Sequence, residues 1–390
     1  MYVNVAVLKE TQPHERRVAL VPSIVPKLMK LGAKLHMQTG ASHAIKLTDA
    51  QFKDVAFIAD RKDLVADADV VLAVQPPALD VIDAMKEGAI LISFIYAERE
   101  PALVQRLLEK KITCFAMERI PRITRAQSMD ALSSQSALAG YYAVQLGSTH
   151  LGRILPKITS AAGAIGPAKV LVMGLGVAGL EAIATAHRLG AVVEGYDVRP
   201  ETEDQAKSLG ATFVETGVDA RGHGGYARAL TAEEQSKVAA VLTQHIQHAD
   251  LIITTAAIPG RPSPKLISKA QVAGMKAGAV IVDLSAEGGG NCEDTKPGET
   301  VEIGQVTIVA PLNVPSLLGE DASELYSKNQ YNLLVLMMKD NIITIDWEDE
   351  VLAKTVLTHA GELKTGAPKP DGRPRGASKD AARKAVAKVA

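Results

Sequence analysis

At 390 residues the chain is long enough for two or three domains of about 150 residues each, and 47% apolar against 22% charged residues excludes a disordered, purely solvated polymer. Forty-three Lys and Arg against 44 Asp and Glu leave a formal charge of -1 and no global reason to expect nucleic acid as a partner, while 4% aromatic residues leave little for base-stacking platforms. Two cysteines, Cys114 and Cys292, cannot build a disulfide framework and read as buried thiols of a reducing compartment.

The opening MYVNVAVLKE reads as a strand over Val3–Val7 and not as a signal peptide, having neither a basic start nor a long apolar stretch. A helix is expected over Ser23–Leu31, capped by Ser23 and stopped by Gly32. Strands follow near Lys34–Gln38, Asp69–Gln75, Ile90–Ile95 and Ile112–Met117, with helices such as Pro101–Lys110 between them. Runs like VVLAV are apolar on consecutive positions, as in strands covered on both faces, and the alternation is a doubly wound α/β pattern. The middle third repeats it: a strand Lys169–Met173, a helix Val177–Leu189, a strand Ala191–Tyr196, and later strands at Leu251–Thr255, Val280–Leu284 and Thr307–Ala310. Glu320–Lys339 reads as a helix, and Ile342–Leu363, with few strands of its own, is expected to pack back on the first domain.

From Lys364 to Ala390 the composition turns to Pro, Gly, Lys, Arg and Ala, which reads as a flexible basic tail. It carries eight Lys and Arg against two Asp, so the near-neutral total is the sum of an acidic body and a basic appendage. No stretch of about 20 apolar residues occurs. The longest charge-free run, Ala131–Gly152, holds Ser133, Ser134, Gln135, Ser136, Gln145, Ser148, Thr149 and His150, a polarity that is costly in lipid. The chain is expected to be soluble, with no transmembrane segment of its own.

The strongest motif is Gly174-Leu175-Gly176-Val177-Ala178-Gly179, because it follows a strand, opens a helix and is succeeded by a strand ending in Asp197. In that setting Gly174 permits the tight turn, Gly176 lets backbone approach a pyrophosphate, and Gly179 brings helix and strand together. The helix N-terminus offers free N–H groups to the phosphates. A carboxylate at Asp197 accepts from the adenosine ribose hydroxyls and repels a 2′-phosphate, so NAD(H) is expected over NADP(H). No glycine loop follows Val3–Val7, and one dinucleotide per chain is expected.

Three further places suggest function. Pro121–Asp130 concentrates Arg122, Arg125, Gln127 and Asp130 at the carboxyl end of a strand, where α/β sheets bind ligands; the alternative is a solvated loop with Asp130 as helix cap. Gly217, Gly222, Gly224 and Gly225, with Tyr226 beside them, suggest a mobile lid or an insertion. Glu287-Gly-Gly-Gly-Asn291 suggests either close backbone approach to a ligand or a tight turn. His245 and His248 lie three apart with no third ligand in sight, and no metal is expected.

PRITRAQSMDALSSQSALAGY, KVLVMGLGVAGLEAIATAHRLGA, YDVR, GGYAR, TTAAIPGRPSP and AEGGGN together resemble the NAD(H)-binding component of proton-translocating nicotinamide nucleotide transhydrogenase, from Tyr2 to about Leu363. The chain is similar to the short, separate alpha subunit of bacteria that split this enzyme across three chains. The resemblance implies two doubly wound, Rossmann-like parallel-sheet domains flanking a cleft. Residues 1–127 with about 325–363 would form the first, 128–324 the NAD(H)-binding domain, and 364–390 the tail. It implies a homodimer, with NADP(H) carried by a beta subunit and proton translocation by membrane subunits, among them a second, membrane-spanning alpha chain. The chain would then be cytoplasmic, attached to the inner side of the cell membrane through those partners.

The same resemblance implies that Gln127 bridges the NAD ribose toward NADP(H), that Arg122 and Asp130 hold the nicotinamide carboxamide and its ribose, and that Leu132 and Ser133 border that pocket. Tyr226 would tip the closing loop, and Val177, Val198, Arg199, Gly225 and Ala256 would line the adenosine and pyrophosphate. Hydride passing directly between two nicotinamides needs positioning, with reacting carbons roughly 3–3.5 Å apart, rather than acid–base chemistry. Two alternatives stand beside this reading. Alanine dehydrogenase is similar over both domains and retains the segment ERRVALVP with Arg17, but it places a Lys and a His where this chain has Ala73 and Tyr96. A non-catalytic NAD-sensing module would need the fingerprint and the lid but has no use for RAQSMD.

Overall fold

The computed structural model describes residues 2–219, 228, 230–258 and 261–364. They form two compact units, one running as far as Ser134 and resuming at Gly319, the other Gln135–Leu318.

The first unit opens with strands β1 (Val3–Val7), β2 (Ala33–Gln38), β3 (Ala56–Ile58), β4 (Val70–Leu72), β5 (Ile90–Ser93) and β6 (Thr113–Ala116). Between them run helices α1 (Val25–Lys30), α2 (Arg61–Ala66), α3 (Leu79–Ala84) and α4 (Pro101–Glu109). The strands are parallel in the order β6-β5-β4-β1-β2-β3. The two-residue period divides them between two cores: Val5, Val7, Leu72 and Ile92 enter one, and Ala6, Val71 and Leu91 the other. Two local expectations change. Ser23 does not cap α1, whose N-cap is Ile24 with Pro26 in the first turn; the Ser23 hydroxyl donates instead to Glu324. The strand expected over Asp69–Gln75 ends at Leu72, and the amides of Val74 and Gln75 turn to the Glu10 carboxylate.

The twenty-residue α5 (Ala131–His150) leads into the second unit. There follow a hairpin of β7 (Ile158–Ser160) and β8 (Gly163–Ile165), then β9 (Lys169–Met173), α6 (Val177–Arg188), β10 (Val192–Tyr196), α7 (Thr202–Ser208) and β11 (Thr212–Phe213). Next come α8 (Ala232–His248), β12 (Leu251–Thr254), α9 (Lys269–Ala273), β13 (Val280–Asp283), β14 (Thr300–Ile303), β15 (Val306–Val309) and α10 (Val314–Leu317). Seven strands form one sheet, β11-β10-β9-β12-β13-β15-β14, parallel except for β14. Again the pleat divides the core: Val170, Val172, Leu251 and Ile253 face one layer, and Leu171, Met173, Ile252 and Ile281 the other.

The chain returns to the first unit through α11 (Gly319–Val335), the small hairpin β16 (Met338–Lys339) and β17 (Ile342–Ile343), α12 (Glu350–Thr355), β18 (Val356–His359) and β19 (Glu362–Leu363). The helix expected to reach Lys339 stops four residues earlier, as Leu336 and Met337 turn the chain into β16, and Asp340 and Asn341, at φ of 52° and 64°, make the hairpin turn that follows. Strand β18 pairs antiparallel with β6, and β19 with β18, so the first sheet has eight strands. Among the described residues no helix is long and apolar enough to cross a membrane. The tail expected from Lys364 lies, from residue 365 on, outside the described residues.

Candidate functional site

In the second sheet β9 has β10 on one side and β12 on the other, so the connections diverge above the carboxyl ends of β9 and β12, the place where open α/β sheets take ligands. The fingerprint occupies that point. Gly174 adopts φ +96°, and the Thr255 hydroxyl at the end of β12 donates to its carbonyl at 2.7 Å. A Cβ on Gly174 would stand 2.9 Å from the Ala256 amide nitrogen, and one on Gly179 would overlap the Gly174 carbonyl. Gly176 differs: it is the N-cap of α6, and a Cβ there meets nothing within 4 Å. Two glycines thus close the turn against protein, while the third leaves room beside the unpaired N–H groups of a twelve-residue helix. That is the cradle a pyrophosphate fits, and Val177, 42% exposed, stands on its first turn.

At the end of β10, Asp197 accepts from the Leu175 amide at 2.7 Å and so ties its strand to the glycine turn. Arg199 takes the rest of the carboxylate. Its amide and Nε donate to one oxygen at 2.9 and 2.8 Å, and its Nη2 to the other at 2.7 Å. The Asp197 side chain is 6% exposed and that of Arg199 18%, so the pair is largely removed from water. Val198 between them packs on the core below.

Beyond β12, Ala256 is held by Asn291, whose side-chain oxygen accepts from its amide at 3.0 Å and whose side-chain nitrogen donates to its carbonyl at 2.8 Å. Asn291 is fully buried, as is Asp283, which accepts from Thr254, Ser285, Asn291, Cys292 and Thr295. These bonds shape Glu287–Asn291 as a tight turn. Gly289 and Gly290 have φ of 95° and 80°, and a Cβ on Gly290 would lie 2.6 Å from the Asp283 carboxylate. Gly290 thus packs against a buried acid, while a Cβ on Gly289 would meet nothing within 4 Å. Asn291 lay in a segment that the sequence marked, but its bonds to Ala256, 35 residues away, and the buried Asp283 had no sequence signal.

The loop of Arg122, Gln127 and Asp130 belongs to the first unit, between β6 and α5. Residues Thr124–Met129 form a short 3-10 helix in which Ala126 and Met129 turn into the core, leaving Gln127 and Ser128 exposed. Asp130 caps α5, accepting from the Ser133 amide at 2.9 Å and the Ser133 hydroxyl at 2.6 Å. The helix-cap reading therefore holds for this residue. Leu132 packs against the first unit's core, and Arg122 is exposed. Arg125 forks both nitrogens onto Asp349, each at 2.8 Å, and Asp349 in turn caps α12. Asn329 and Asn332, on α11, both donate to the Ser128 carbonyl at 2.9 Å. These last three residues escaped the sequence reading.

The first sheet has its own divergence, at β1 between β2 and β4, and it is filled from within. Glu10, just past β1, accepts from the Val74 amide at 2.6 Å and the Gln75 amide at 3.2 Å. Burial pushes its carboxyl up to about 8, against the pull of the Val74 amide and with help from the charge of Glu15. Next to it Glu15 and Arg17 make a buried ion pair at 2.6 Å, and Gln75 donates to Glu15 at 2.7 Å. Burial alone would raise Glu15, but the bonds and charge of Arg17 outweigh it and hold the acid at about 2. At this divergence an internal carboxylate therefore takes two strand-end amides that would otherwise be open to an anion.

Gly225 and Tyr226, with most of the glycine-rich loop, lie outside the described residues. His245 pairs with Glu194 at 2.9 Å, and among the described residues no group of His, Cys, Asp and Glu could hold a metal ion.

Two Rossmann-like units, one of them carrying a dinucleotide cradle at its switch point, define an NAD-binding protein of the dehydrogenase type. The description "Alanine dehydrogenase/PNT, N-terminal domain" matches residues 6–139, and "Alanine dehydrogenase/PNT, C-terminal domain" matches residues 143–366; the chain belongs to the alanine dehydrogenase/PNT family. Within it, the chain is 42% identical over 374 residues to the first portion of NAD(P) transhydrogenase subunit alpha of Rhodospirillum rubrum, covering 93% of this chain and 97% of that one. A solved transhydrogenase from Sinorhizobium meliloti superposes with a TM-score of 0.81 at 39% identity, over 92% of this chain and 98% of that one. An alanine dehydrogenase of Mycobacterium tuberculosis is 29% identical over 375 residues, covering 93% and 94% of the two chains. The chain is thus a relative of transhydrogenase alpha subunits first and of alanine dehydrogenase second.

Proposed function

We propose that this chain is the NAD(H)-holding subunit of a proton-translocating transhydrogenase, presenting NAD(H) for direct hydride exchange with NADP(H) on a beta subunit. The observation that carries the reading is Gln127, an exposed amide on a turn whose neighbours Arg125, Ser128 and Asp130 are all committed to holding the turn in place. A group fixed in position yet facing outward suits contact with a second nucleotide borne by another protein.

Bound NAD(H) supplies or accepts the hydride, one C–H bond breaking as the other forms. This chain therefore needs to contribute no general acid or base. Gly174, Gly176 and Gly179 with the first turn of α6 would hold the pyrophosphate, and Asp197 the adenosine ribose. Val177, Val198, Arg199 and Ala256 would line that half. Arg122 and Asp130 would hold the nicotinamide carboxamide and ribose, with Leu132 and Ser133 at the border, and Gly225 and Tyr226 would belong to the loop that closes. Closure and a fixed turn serve the two needs of direct transfer, exclusion of water and alignment of the reacting carbons.

The Rhodospirillum rubrum relative is named as the first portion of subunit alpha, a name that implies a further portion beside it. By analogy this chain would act as a homodimer on the inner face of the membrane, beside a second, membrane-spanning alpha chain and the NADP(H)-binding beta subunit.

The test mixes this chain and NADH with an NADP(H)-binding subunit of a transhydrogenase loaded with NADP+. Rapid appearance of NADPH is the expected result, and Gln127→Asn should slow it at least about tenfold while leaving NADH affinity within about twofold, as befits lost alignment rather than lost binding. No exchange by the parent chain would overturn the proposal.

A further inference from the structure

We infer that Asn329 of α11 and Asp349 of α12 are positioning residues for the Gln127 turn, clamping it from two sides so that its amide meets the incoming nucleotide at a fixed place. The inference rests on the reading of Gln127 given above.

The turn has little to hold its own shape. A 3-10 helix of six residues has strained hydrogen bonds and rarely persists without outside support. Ala126 and Met129 give it an apolar footing, but a footing on one face leaves rotation and sliding open. The two polar clamps close those freedoms. On one side the Asn329 amide donates to the Ser128 carbonyl at 2.9 Å while its oxygen accepts from the Ser134 hydroxyl at 2.7 Å. One buried side chain, 6% exposed, thereby joins the residue after Gln127 to the first turn of α5. On the other side Arg125, two residues before Gln127, is forked by Asp349 at 2.8 Å on both prongs, a geometry that fixes direction as well as distance. Asp349 is itself fixed as the cap of α12, accepting from Val351 at 2.8 Å.

The chemistry of Asn329 fits this task and not mere space-filling. An amide in a nearly closed site must satisfy both its donor and its acceptor, and here each goes to a different flank of the same turn. Asn332 shares the Ser128 carbonyl but is only partly buried, so it reinforces the bond without linking to α5. Both clamps come from the returning stretch of the chain, more than 190 residues from the turn in sequence.

The experiment compares Asn329→Asp, Asn329→Ala, Asp349→Ala, Asp349→Glu and Gln127→Asn with the parent chain. Each is measured for thermal midpoint, NADH affinity by nucleotide fluorescence, and single-turnover hydride transfer to an NADP+-loaded NADP(H)-binding subunit. Asn329→Asp keeps size and acceptor but, when ionised, cannot donate to Ser128, and it should lower the transfer rate by about tenfold or more, since a misplacement of ~1 Å costs about a hundredfold. NADH affinity should stay within about twofold, because the phosphate cradle is elsewhere. Asp349→Ala should slow transfer likewise, with partial recovery in Asp349→Glu, which restores the ion pair. A purely structural role would lower the thermal midpoint while folded protein transfers hydride at the parent rate, and that result overturns the inference. If Gln127→Asn is slow while both Asn329 variants run at the parent rate, the inference fails and the Gln127 reading survives. If Gln127→Asn itself matches the parent, that reading fails and takes the inference with it.

Discussion

Arg199 closes on Asp197 so fully that the carboxylate has no acceptor position to spare. Its two oxygens take four bonds, three from Arg199 and one from the Leu175 amide, and a carboxylate offers about four lone-pair sites. For ribose hydroxyls to bond Asp197, one of these donors would have to give way, and displacing the guanidinium would leave Arg199 next to the sugar. Asp197→Ala is therefore expected to weaken NADH binding by about 10- to 100-fold, the 1.5–3 kcal/mol typical of bonds to a charged group. It should also narrow the preference over NADPH, because the repelling charge is gone while Arg199 remains. Titration of the nucleotide fluorescence checks both; unchanged affinity for NADH would contradict the role given to Asp197.

Gly176 and Gly179 should separate binding from folding. Gly176→Ala adds a methyl into open space at φ −79°, a backbone angle any residue tolerates. The expected variant melts with the parent and binds NADH poorly, because the methyl stands where the pyrophosphate must approach. Gly179→Ala drives a methyl into the Gly174 carbonyl and should cost about 1–3 kcal/mol of stability as helix and strand are forced apart. Melting curves and NADH titrations on the two variants distinguish these outcomes, and a Gly176→Ala chain with parent affinity would place the phosphates elsewhere.

The second unit's site was legible because its signals are local. Strand, glycine turn and helix lie within twenty residues, Lys169 to Arg188, and each imposes its own spacing. The layered fold was legible for the same reason, since buried parallel strands are short apolar runs. What the sequence hid lies in long-range polar bonds. Asn329 and Gln330 sit in a helix of low apolar content, yet both are buried, and Gln330 donates to the Ala73 and Ile92 carbonyls at 3.0 Å each. Asn and Gln in a helix read as solvated surface unless the partner is known, and these partners are 195 to 257 residues away. The Glu10 plug was hidden likewise: nothing near Val7 announces that a carboxylate will take the amides after β4. Strand ends were overestimated wherever apolar residues continue past the ladder, as Val74 does.

The first unit should be silent toward amino acids. Oxidising an amine needs a proton-transfer group near the reacting carbon, and by the resemblance drawn from the sequence Ala73 and Tyr96 stand where alanine dehydrogenase would have a Lys and a His. The Ala73 carbonyl is engaged by Tyr326 at 3.1 Å and Gln330 at 3.0 Å, so its strand end is sealed by α11. Arg17 of the shared ERRVALVP segment is buried against Glu15. Purified chain with NAD+ and L-alanine is expected to show no rise in reduced-nicotinamide absorbance; a steady, enzyme-dependent rise would move the chain to the amino-acid dehydrogenases.

The two buried acids of the first unit pull stability in opposite directions with pH. Glu10 stands at about 8 against an ordinary 4.5, although some of its surface remains open, because enough protein surrounds it to disfavour the charge. Its folded form holds a proton that the unfolded chain has released, so its stabilisation is complete below pH 4.5 and is lost as pH rises toward about 8. Glu15 is the reverse: held at about 2 by Arg17, it contributes fully above pH 4.5 and loses that contribution as pH falls toward about 2. Glu118, also pushed up by burial, adds to the decline on the alkaline side. Comparison with a variant therefore isolates Glu10. Glu10→Gln, neutral at every pH, should flatten the fall in stability between about pH 5 and pH 8, where one proton can contribute a slope of no more than about 1.4 kcal/mol per pH unit. Urea midpoints at four pH values for parent and variant measure the difference. Parallel curves would mean that Glu10 is already ionised in the folded protein, and the plug at the first sheet's divergence would then be a charged one.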